Sequence, residues 1–153
     1  MLNYPLLTYA HLYCREELKG QDRPTLIYAG SIRAIRGLYG MLELVLRLKS
    51  SYPDILLRLV GPVAPAAEET KVRALIASEG VGENVDLQGR VSHPEVHQQI
   101  AQSDIGLVLL HPDPNYLNSL PTKMFEYMML GKPVVVSNFP LWQEIVQGAG
   151  CGL

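Results

Sequence analysis

The residues best suited to chemistry lie in residues 118–140, whose sequence is NSLPTKMFEYMMLGKPVVVSNFP. Lys123 and Glu126 are three positions apart, so on a helix they share one face. The Glu126 carboxylate could then accept hydrogen bonds from the vicinal hydroxyls of a ribose, while Lys123 opposes the charge of a phosphate. An alternative stays open at this point, because the same pair on an ordinary helix is a solvated ion pair worth about 0.2–0.5 kcal/mol.

The segment that carries this pair is predicted to be a helix over residues 121–130. Pro121 suits the first turn of a helix, and Gly131 is a natural stop after the last turn. Asn118 and Ser119 can cap its beginning. The free N–H groups and the dipole at the start of such a helix favour an anion such as a diphosphate.

A second candidate site is the loop GSIRAIRG, residues 30–37. Gly30 and Gly37 let the backbone approach a ligand closely, and Arg33 and Arg36 can donate to a phosphate. The loop has neither the GxGxxG spacing of dinucleotide-binding proteins nor a Walker sequence. A glycine turn with two solvated arginines is the alternative interpretation.

The elements that position these residues alternate along the chain. Short apolar runs predict buried strands at residues 25–30, 55–61, 84–89, 105–110 and 133–137. Amphipathic stretches predict helices at residues 38–49, 66–79, 94–102, 121–130 and 141–147, with Met41, Leu42, Val45, Leu46 and Leu48 on the buried side of the first. This order predicts an α/β fold, a Rossmann-like doubly wound parallel sheet. Its ligand edge would be formed by the loops at residues 30–37, 61–65, 89–93 and 111–121.

Composition excludes several classes of protein. The chain has 153 residues, of which 48% are hydrophobic and 18% charged, so it can bury a core as one domain. A formal net charge of −2 gives no bulk attraction to nucleic acid, and two cysteines are too few for a disulfide scaffold. No apolar run has the length of a membrane helix, and the first residues do not resemble a signal peptide. Residues 1–24 are predicted to be a lead-in or linker, and residues 25–153 the domain.

The histidines raise the question of a metal. His93 and His97 are four positions apart, and His111 is predicted at the same edge of the sheet. A zinc site needs a third ligand and a supporting shell, and the spacing supplies neither, so no metal site is predicted. Asp104 is predicted to be structural, and Trp142 to pack a helix against the sheet.

The segment PTKMFEYMMLGKPVVVSNFPLWQEIV resembles the signature region of the GT-B glycosyltransferases of family 4, the group 1 glycosyltransferases. Upstream, YAGSIRAIRG, LLRLVGP and ENVDLQGRVSHPEVHQQIAQSDIGLVLL resemble the family's earlier strands and helices. The resemblance covers residues 28–153. It implies the C-terminal, nucleotide-sugar-binding half of a GT-B fold, without the N-terminal acceptor domain. Residues 148–153 (GAGCGL) look like the start of a further strand, so the domain is expected to be cut at its C-terminus.

The resemblance also implies roles for individual residues. Glu126 would hold the ribose hydroxyls, Arg36 would occupy the basic diphosphate position, and Asn118 and Glu126 would form the catalytic pair. Other donor contacts would be made by Gly30, Ser31, Arg33, Gly61, Arg90, Val91, Ser119, Leu120 and Lys123. The family often has a second glutamate eight positions before the first, where this chain has Asn118, and an arginine where this chain has Ser31.

The activity implied is transfer of a sugar, with retention of configuration, from a nucleotide-diphosphate sugar to an acceptor. A hexosyltransferase of bacterial surface polysaccharide or glycolipid synthesis is expected, with no metal or other cofactor and no nucleic acid partner. The isolated domain should be inactive or nearly so. The full protein should be cytoplasmic, with a peripheral place at the inner membrane face as a further expectation. One alternative is a non-catalytic nucleotide-binding or protein-interaction domain of the same fold. A dinucleotide-binding oxidoreductase is a weaker one, since GxGxxG is lacking.

Overall fold

The computed structural model describes residues 23–153, which form an α/β domain around a parallel sheet. The strands are β1 Thr25–Ala29, β2 Leu56–Val60, β3 Val85–Gly89, β4 Ile105–Val108 and β5 Val134–Val136. Within this range the sheet order is β3-β2-β1-β4-β5, and all the pairs are parallel. The predicted doubly wound, Rossmann-like fold is therefore confirmed. Most of the predicted lead-in segment, residues 1–22, lies outside the described residues.

The helices lie between the strands and after β5. They are α1 Leu38–Leu48, α2 Glu69–Ser78, α3 His93–Ala101, α4 Pro114–Leu117, α5 Thr122–Met129 and α6 Pro140–Ala149. The predicted helices are found with shifts of a few residues at their ends. Sequence analysis missed α4 and the short 3-10 turns at Ala34–Arg36, Ala66–Glu68 and Gly82–Asn84.

The sheet is covered on both faces, which explains the unbroken apolar runs. In β1, Leu26 and Tyr28 face the layer that contains α1 and α2. Ile27 and Ala29 point the opposite way, toward α3, α5 and α6. One predicted core residue is wrong, since Leu46 is 45% exposed. Leu46 follows Tyr39 by seven positions, so both lie on the outer face of α1.

The strand order reverses between β1 and β4, and these two strands pair only briefly. Their register consists of Leu26 with Ile105 and Ile27 with Gly106. Beyond these pairs, the Ala29 N–H donates a hydrogen bond to the Tyr127 hydroxyl at 2.9 Å. The Tyr127 ring lies where Gly106 has no side chain, since a Cβ there would be 2.3 Å from the ring. This contact seats α5 beside the point where the two strands separate.

At the other end of the sheet, the last residues pair with β5. The Val134 N–H donates to the Cys151 carbonyl at 2.9 Å, and the Val136 N–H donates to the Leu153 carbonyl at 2.9 Å. Val134 and Gly152 form a parallel bridge, which agrees with the predicted start of a strand in residues 148–153. No helix within residues 23–153 is long and apolar enough to cross a bilayer.

We predict that Gly106→Ala destabilises the domain. The added methyl group would overlap the Tyr127 ring, and overpacking of this kind costs about 1–3 kcal/mol. Thermal unfolding followed by circular dichroism should show Tm lowered by several degrees. Gly40→Ala is the matched control, because Gly40 lies in α1 with nothing within 4 Å of the added methyl, and it should raise Tm slightly. An unchanged Tm for Gly106→Ala would contradict the packing described here.

Candidate functional site

A pocket of about 360 Å³ lies beyond the carboxyl ends of β1 and β4, where the strand order reverses. It is lined by the ends of these strands, by Arg36, by Tyr116 and by the stretch from Ser119 through the first turns of α5. Open parallel sheets bind their ligands at this position. The pocket is therefore the candidate ligand-binding site of the domain.

Lys123 enters the pocket from α5 and rests against Tyr28. Its Nζ donates to the Tyr28 hydroxyl at 3.1 Å and lies 4.3 Å from the centre of the ring. The Tyr28 hydroxyl in turn donates to the Ser31 carbonyl at 3.0 Å. Burial, and then the neighbouring charge of Arg36, lower the pKa of Lys123 to about 7, although Glu126 acts in the opposite direction. An anion in the pocket would restore the full charge of this lysine.

Tyr28 is a second polar group, which lies behind the pocket lining against Lys123. Its side chain is fully buried, and this burial raises its pKa to about 12, against the opposing effect of Arg36. The phenol is therefore neutral at pH 7 and serves as a hydrogen-bonding support for Lys123. Sequence analysis missed Tyr28 and Tyr116. For Tyr28 a signal was available, because a tyrosine in an otherwise apolar strand places a phenol in the core, where it needs a hydrogen-bond partner.

Arg36 reaches the pocket because the loop after β1 lies against the end of β4. Gly37 has φ +82°, and a Cβ there would come within 1.7 Å of the Leu109 carbonyl oxygen. The His111 N–H donates to the Ile35 carbonyl at 3.0 Å, which ties the two loops together. Among the described residues no group accepts a hydrogen bond from the buried Arg36 Nε. The guanidinium can thus still donate to an anionic ligand.

The beginning of α5 differs from the prediction. Pro121 is the N-cap, and no side chain caps the helix, so the proposed capping by Asn118 or Ser119 is wrong. The reason is α4, which ends at Leu117 with Asn118 as its C-cap and leaves the Ser119 hydroxyl to donate to the Tyr116 carbonyl at 3.0 Å. The first N–H groups of α5 therefore remain available to a ligand.

Trp142 fixes the loop that precedes α5. The indole is fully buried and stacks at a tilt on Phe139, with 4.6 Å between ring centres. Its Nε1–H donates to the Ser119 carbonyl at 2.7 Å. The predicted packing role of Trp142 is confirmed, and the structure adds a hydrogen bond to the edge of the pocket.

Glu126 is buried one turn after Lys123, and both side chains border the pocket as their spacing predicted. Its Oε1 lies 3.4 Å from His93 Nε2 and 3.7 Å from His97 Nε2. The pKa of His97 is lowered, chiefly by burial, although Glu126 favours the protonated ring. Glu126 is therefore the third residue that meets His93 and His97. This contact between α3 and α5 is not revealed by the spacing of residues in the sequence.

The structure brings about half of the predicted donor contacts together. Those that line the pocket are Gly30, Arg36, Ser119, Leu120, Lys123 and Glu126. Those that lie outside its lining are Ser31, Arg33, Gly61, Arg90, Val91 and Asn118. In this second group, Arg33 Nε donates to Ser31 Oγ at 3.3 Å and the Gly61 N–H donates to the Gly89 carbonyl. Arg90 is exposed, and Val91 packs on the core layer that contains α5.

Asp104 and Asp113 serve structural roles. The Asp104 carboxylate accepts the Thr25 N–H at 2.8 Å and so fixes the start of β1, which agrees with the structural role predicted for it. The Asp113 carboxylate accepts the Asn115 N–H at 2.9 Å and caps α4.

The fold and the pocket define an α/β domain with a pocket at the switch point of its sheet, whose cationic side chains suit an anionic ligand. The model of one protein family, "Glycosyl transferases group 1", matches residues 13–153. This chain belongs to the group 1 glycosyl transferase family. No curated protein sequence matches it.

Solved structures of glycosyltransferases have the same fold. WaaG, a glycosyltransferase involved in lipopolysaccharide biosynthesis, gives a TM-score of 0.71 at 21% identity, over 97% of this chain and 38% of WaaG. HepE of Anabaena, solved with UDP and glucose, gives 0.68 at 19% identity, over 82% of this chain and 32% of HepE. The C-terminal domain of LpcC from Francisella tularensis gives 0.64 at 16% identity, over 82% of this chain and 63% of that domain. The chain thus spans about a third of the first two proteins.

We predict that Lys123→Met stabilises the ligand-free domain. The unfolded chain binds a proton at Lys123 up to pH 10.5, whereas the folded chain releases it at about pH 7, so the lysine destabilises the fold below pH 10.5. The gain should appear as a raised Tm at pH 7. It should shrink as the pH rises toward 9.

Lys71→Met is the matched control, because Lys71 is an exposed lysine on α2. Its Tm should stay close to that of the wild type at every pH. A Tm of Lys123→Met below the wild-type value at pH 7 would mean that the contacts of Lys123 with Tyr28 outweigh the cost of burying the charge.

Proposed function

We propose that this chain is the C-terminal, donor-binding domain of a retaining GT-B glycosyltransferase of family 4. The observation that carries the proposal is the meeting of Arg36, Lys123 and Glu126 in one pocket. Two cationic side chains and the first N–H groups of α5 suit a diphosphate. A buried carboxylate one turn further along α5 suits the two adjacent hydroxyls of a ribose. A nucleoside diphosphate carries both features in one molecule.

Each of these side chains has a defined role in the proposed reaction. As the glycosidic bond to the diphosphate breaks, negative charge grows on the leaving oxygen and the sugar becomes oxocarbenium-like. Arg36, Lys123 and the start of α5 are in place before the reaction, so they stabilise this charge without reorganisation. These groups supply the positive charge in the proposal, which therefore assigns no metal to the transfer step. Asn118, exposed at the end of α4, would offer an amide to a sugar hydroxyl.

Features of the similar structures support finer parts of the proposal. HepE was solved with UDP and glucose, which makes UDP the first nucleotide to test and a hexose the first sugar. WaaG acts in lipopolysaccharide biosynthesis, which agrees with a role in bacterial surface polysaccharide or glycolipid synthesis. An N-terminal acceptor domain is proposed because this chain covers 38% of WaaG and 32% of HepE. A cytoplasmic location and a peripheral membrane position stay predictions.

We predict that Glu126→Gln weakens nucleotide binding by at least about tenfold, which is about 1.4 kcal/mol. The amide keeps the shape of the side chain, but it loses the charge and one acceptor of the ribose hydroxyls. Calorimetric titration of the chain with UDP, GDP and ADP measures the change and identifies the base. Glu144→Gln is the control, because Glu144 is an exposed carboxylate on α6 away from the pocket.

Two results of the titration would contradict parts of the proposal. If wild type and Glu126→Gln bind the same nucleotide with equal affinity, the proposed contact between Glu126 and the ribose is wrong. No binding of any of the three nucleotides by the folded wild-type chain would contradict the proposed donor site.

We also predict that the chain alone transfers little or no sugar, because in a GT-B enzyme the acceptor is held by the other domain. Incubation with a radiolabelled nucleotide-sugar should give no labelled acceptor above the level found with the Lys123→Met variant. Robust transfer by the isolated chain would contradict the need for a second domain.

A further inference from the structure

A cluster of three metal-ligating side chains lies at the edge of the pocket. His93 is the first residue of α3 and His97 is the fifth, so both imidazoles are on one face of the helix, toward Glu126 of α5. The Glu126 carboxylate and both imidazoles bring their ligand atoms within 4.8 Å of one another. His97 and Glu126 are buried, while the side chain of His93 is 62% exposed. The cluster thus has two buried members and one exposed member.

The spacing of these atoms fits a tetrahedral metal ion. Zinc binds imidazole nitrogen and carboxylate oxygen at about 2.0–2.2 Å, so two ligand atoms of a tetrahedral site are about 3.3–3.6 Å apart. Glu126 Oε1 lies 3.4 Å from one imidazole Nε2 and 3.7 Å from the other. The ring of His93, at an exposed position, would turn to complete the site.

The kinds of donor atom select the metal. Two imidazoles and one carboxylate suit zinc and its transition-metal neighbours, whereas magnesium and calcium prefer oxygen ligands. Two histidines four positions apart on a helix form a common half of a zinc site. Three protein ligands leave a fourth position for water.

We propose that His93, His97 and Glu126 bind zinc, and that bound zinc competes with the nucleotide for the Glu126 carboxylate. The zinc site stands on the cluster alone, whereas the competition rests on the proposed donor-binding function. Oε1 is the atom that both imidazoles approach, so a zinc ion between them takes the charge and a lone pair that the ribose would use. Arg36 and Lys123 lie outside the metal cluster and keep their contacts with the diphosphate. Zinc therefore weakens nucleotide binding and does not abolish it.

The zinc site is tested first, without nucleotide, by titrating the chain with cobalt(II) as a spectroscopic substitute. We expect the intense visible absorption of tetrahedral cobalt at one ion per chain, lost on addition of zinc. His93→Ala should weaken binding by more than the roughly 10–100-fold cost of losing a mere supporting group around a metal. His93 is exposed, so this variant should keep its fold, which its unfolding curve verifies. Glu126→Gln should weaken binding to a similar extent.

Two controls exclude other ligands of the metal. His111→Ala removes a histidine outside the cluster and should leave the cobalt spectrum unchanged. Cys14→Ser with Cys151→Ser removes both thiols and should also leave it unchanged. The absence of a tetrahedral spectrum in the wild type, or an equal spectrum in His93→Ala, would overturn the zinc site.

The competition is tested by titrating UDP in zinc-free buffer and again with zinc at a saturating level. Zinc should weaken UDP binding by at least about tenfold more in the wild type than in His93→Ala. The smaller effect in the variant measures the zinc that UDP itself chelates. Equal UDP affinity with and without zinc in a wild type that binds cobalt would overturn the competition alone. A wild type that binds cobalt but no nucleotide would overturn the donor site and keep the metal site.

Discussion

The position of the whole site depends on how Tyr127 fills the gap between β1 and β4. Its hydroxyl satisfies the Ala29 N–H beyond the last pairing of these strands, and its ring lies against Gly106. This contact fixes both the place and the rotation of α5. Glu126, one residue earlier, and Lys123, one turn earlier, are then carried to the carboxyl edge of the sheet. A core contact with no chemistry of its own thus sets the geometry of the chemical groups.

The side chains of the pocket carry more positive charge than its carboxylate neutralises. Lys123 is half-buried beside Arg36, and its contacts are with a neutral phenol and its ring. Glu126, the nearest carboxylate, is shared with His93 and His97. A folded domain keeps such an arrangement at a cost in stability, and the cost is recovered when an anion binds. This is the pattern expected of a binding site and not of a surface ion pair.

The sequence predicted the parts of this site that depend on local order. Strand ends, glycine turns and the three-residue spacing of Lys123 and Glu126 are local patterns, and the structure places them as expected. The missed features come from contacts between distant elements. The approach of α3 to α5, which brings His97 to Glu126, has no signature in either segment. The short helix α4 arises from a cap by Asp113 in a proline-rich loop, and it displaced the cap predicted at Asn118.

Trp142 gives this domain a built-in optical reporter. The chain has one tryptophan, and its indole N–H is bonded to the carbonyl of Ser119, a residue that lines the pocket. Indole emission responds to hydrogen bonding at this nitrogen, so a shift of the loop on ligand binding would change the fluorescence of a single known residue. Because the ring is otherwise enclosed by core side chains, solvent adds little background to the signal. A ligand that shifts this loop would thus be detectable in the unlabelled protein.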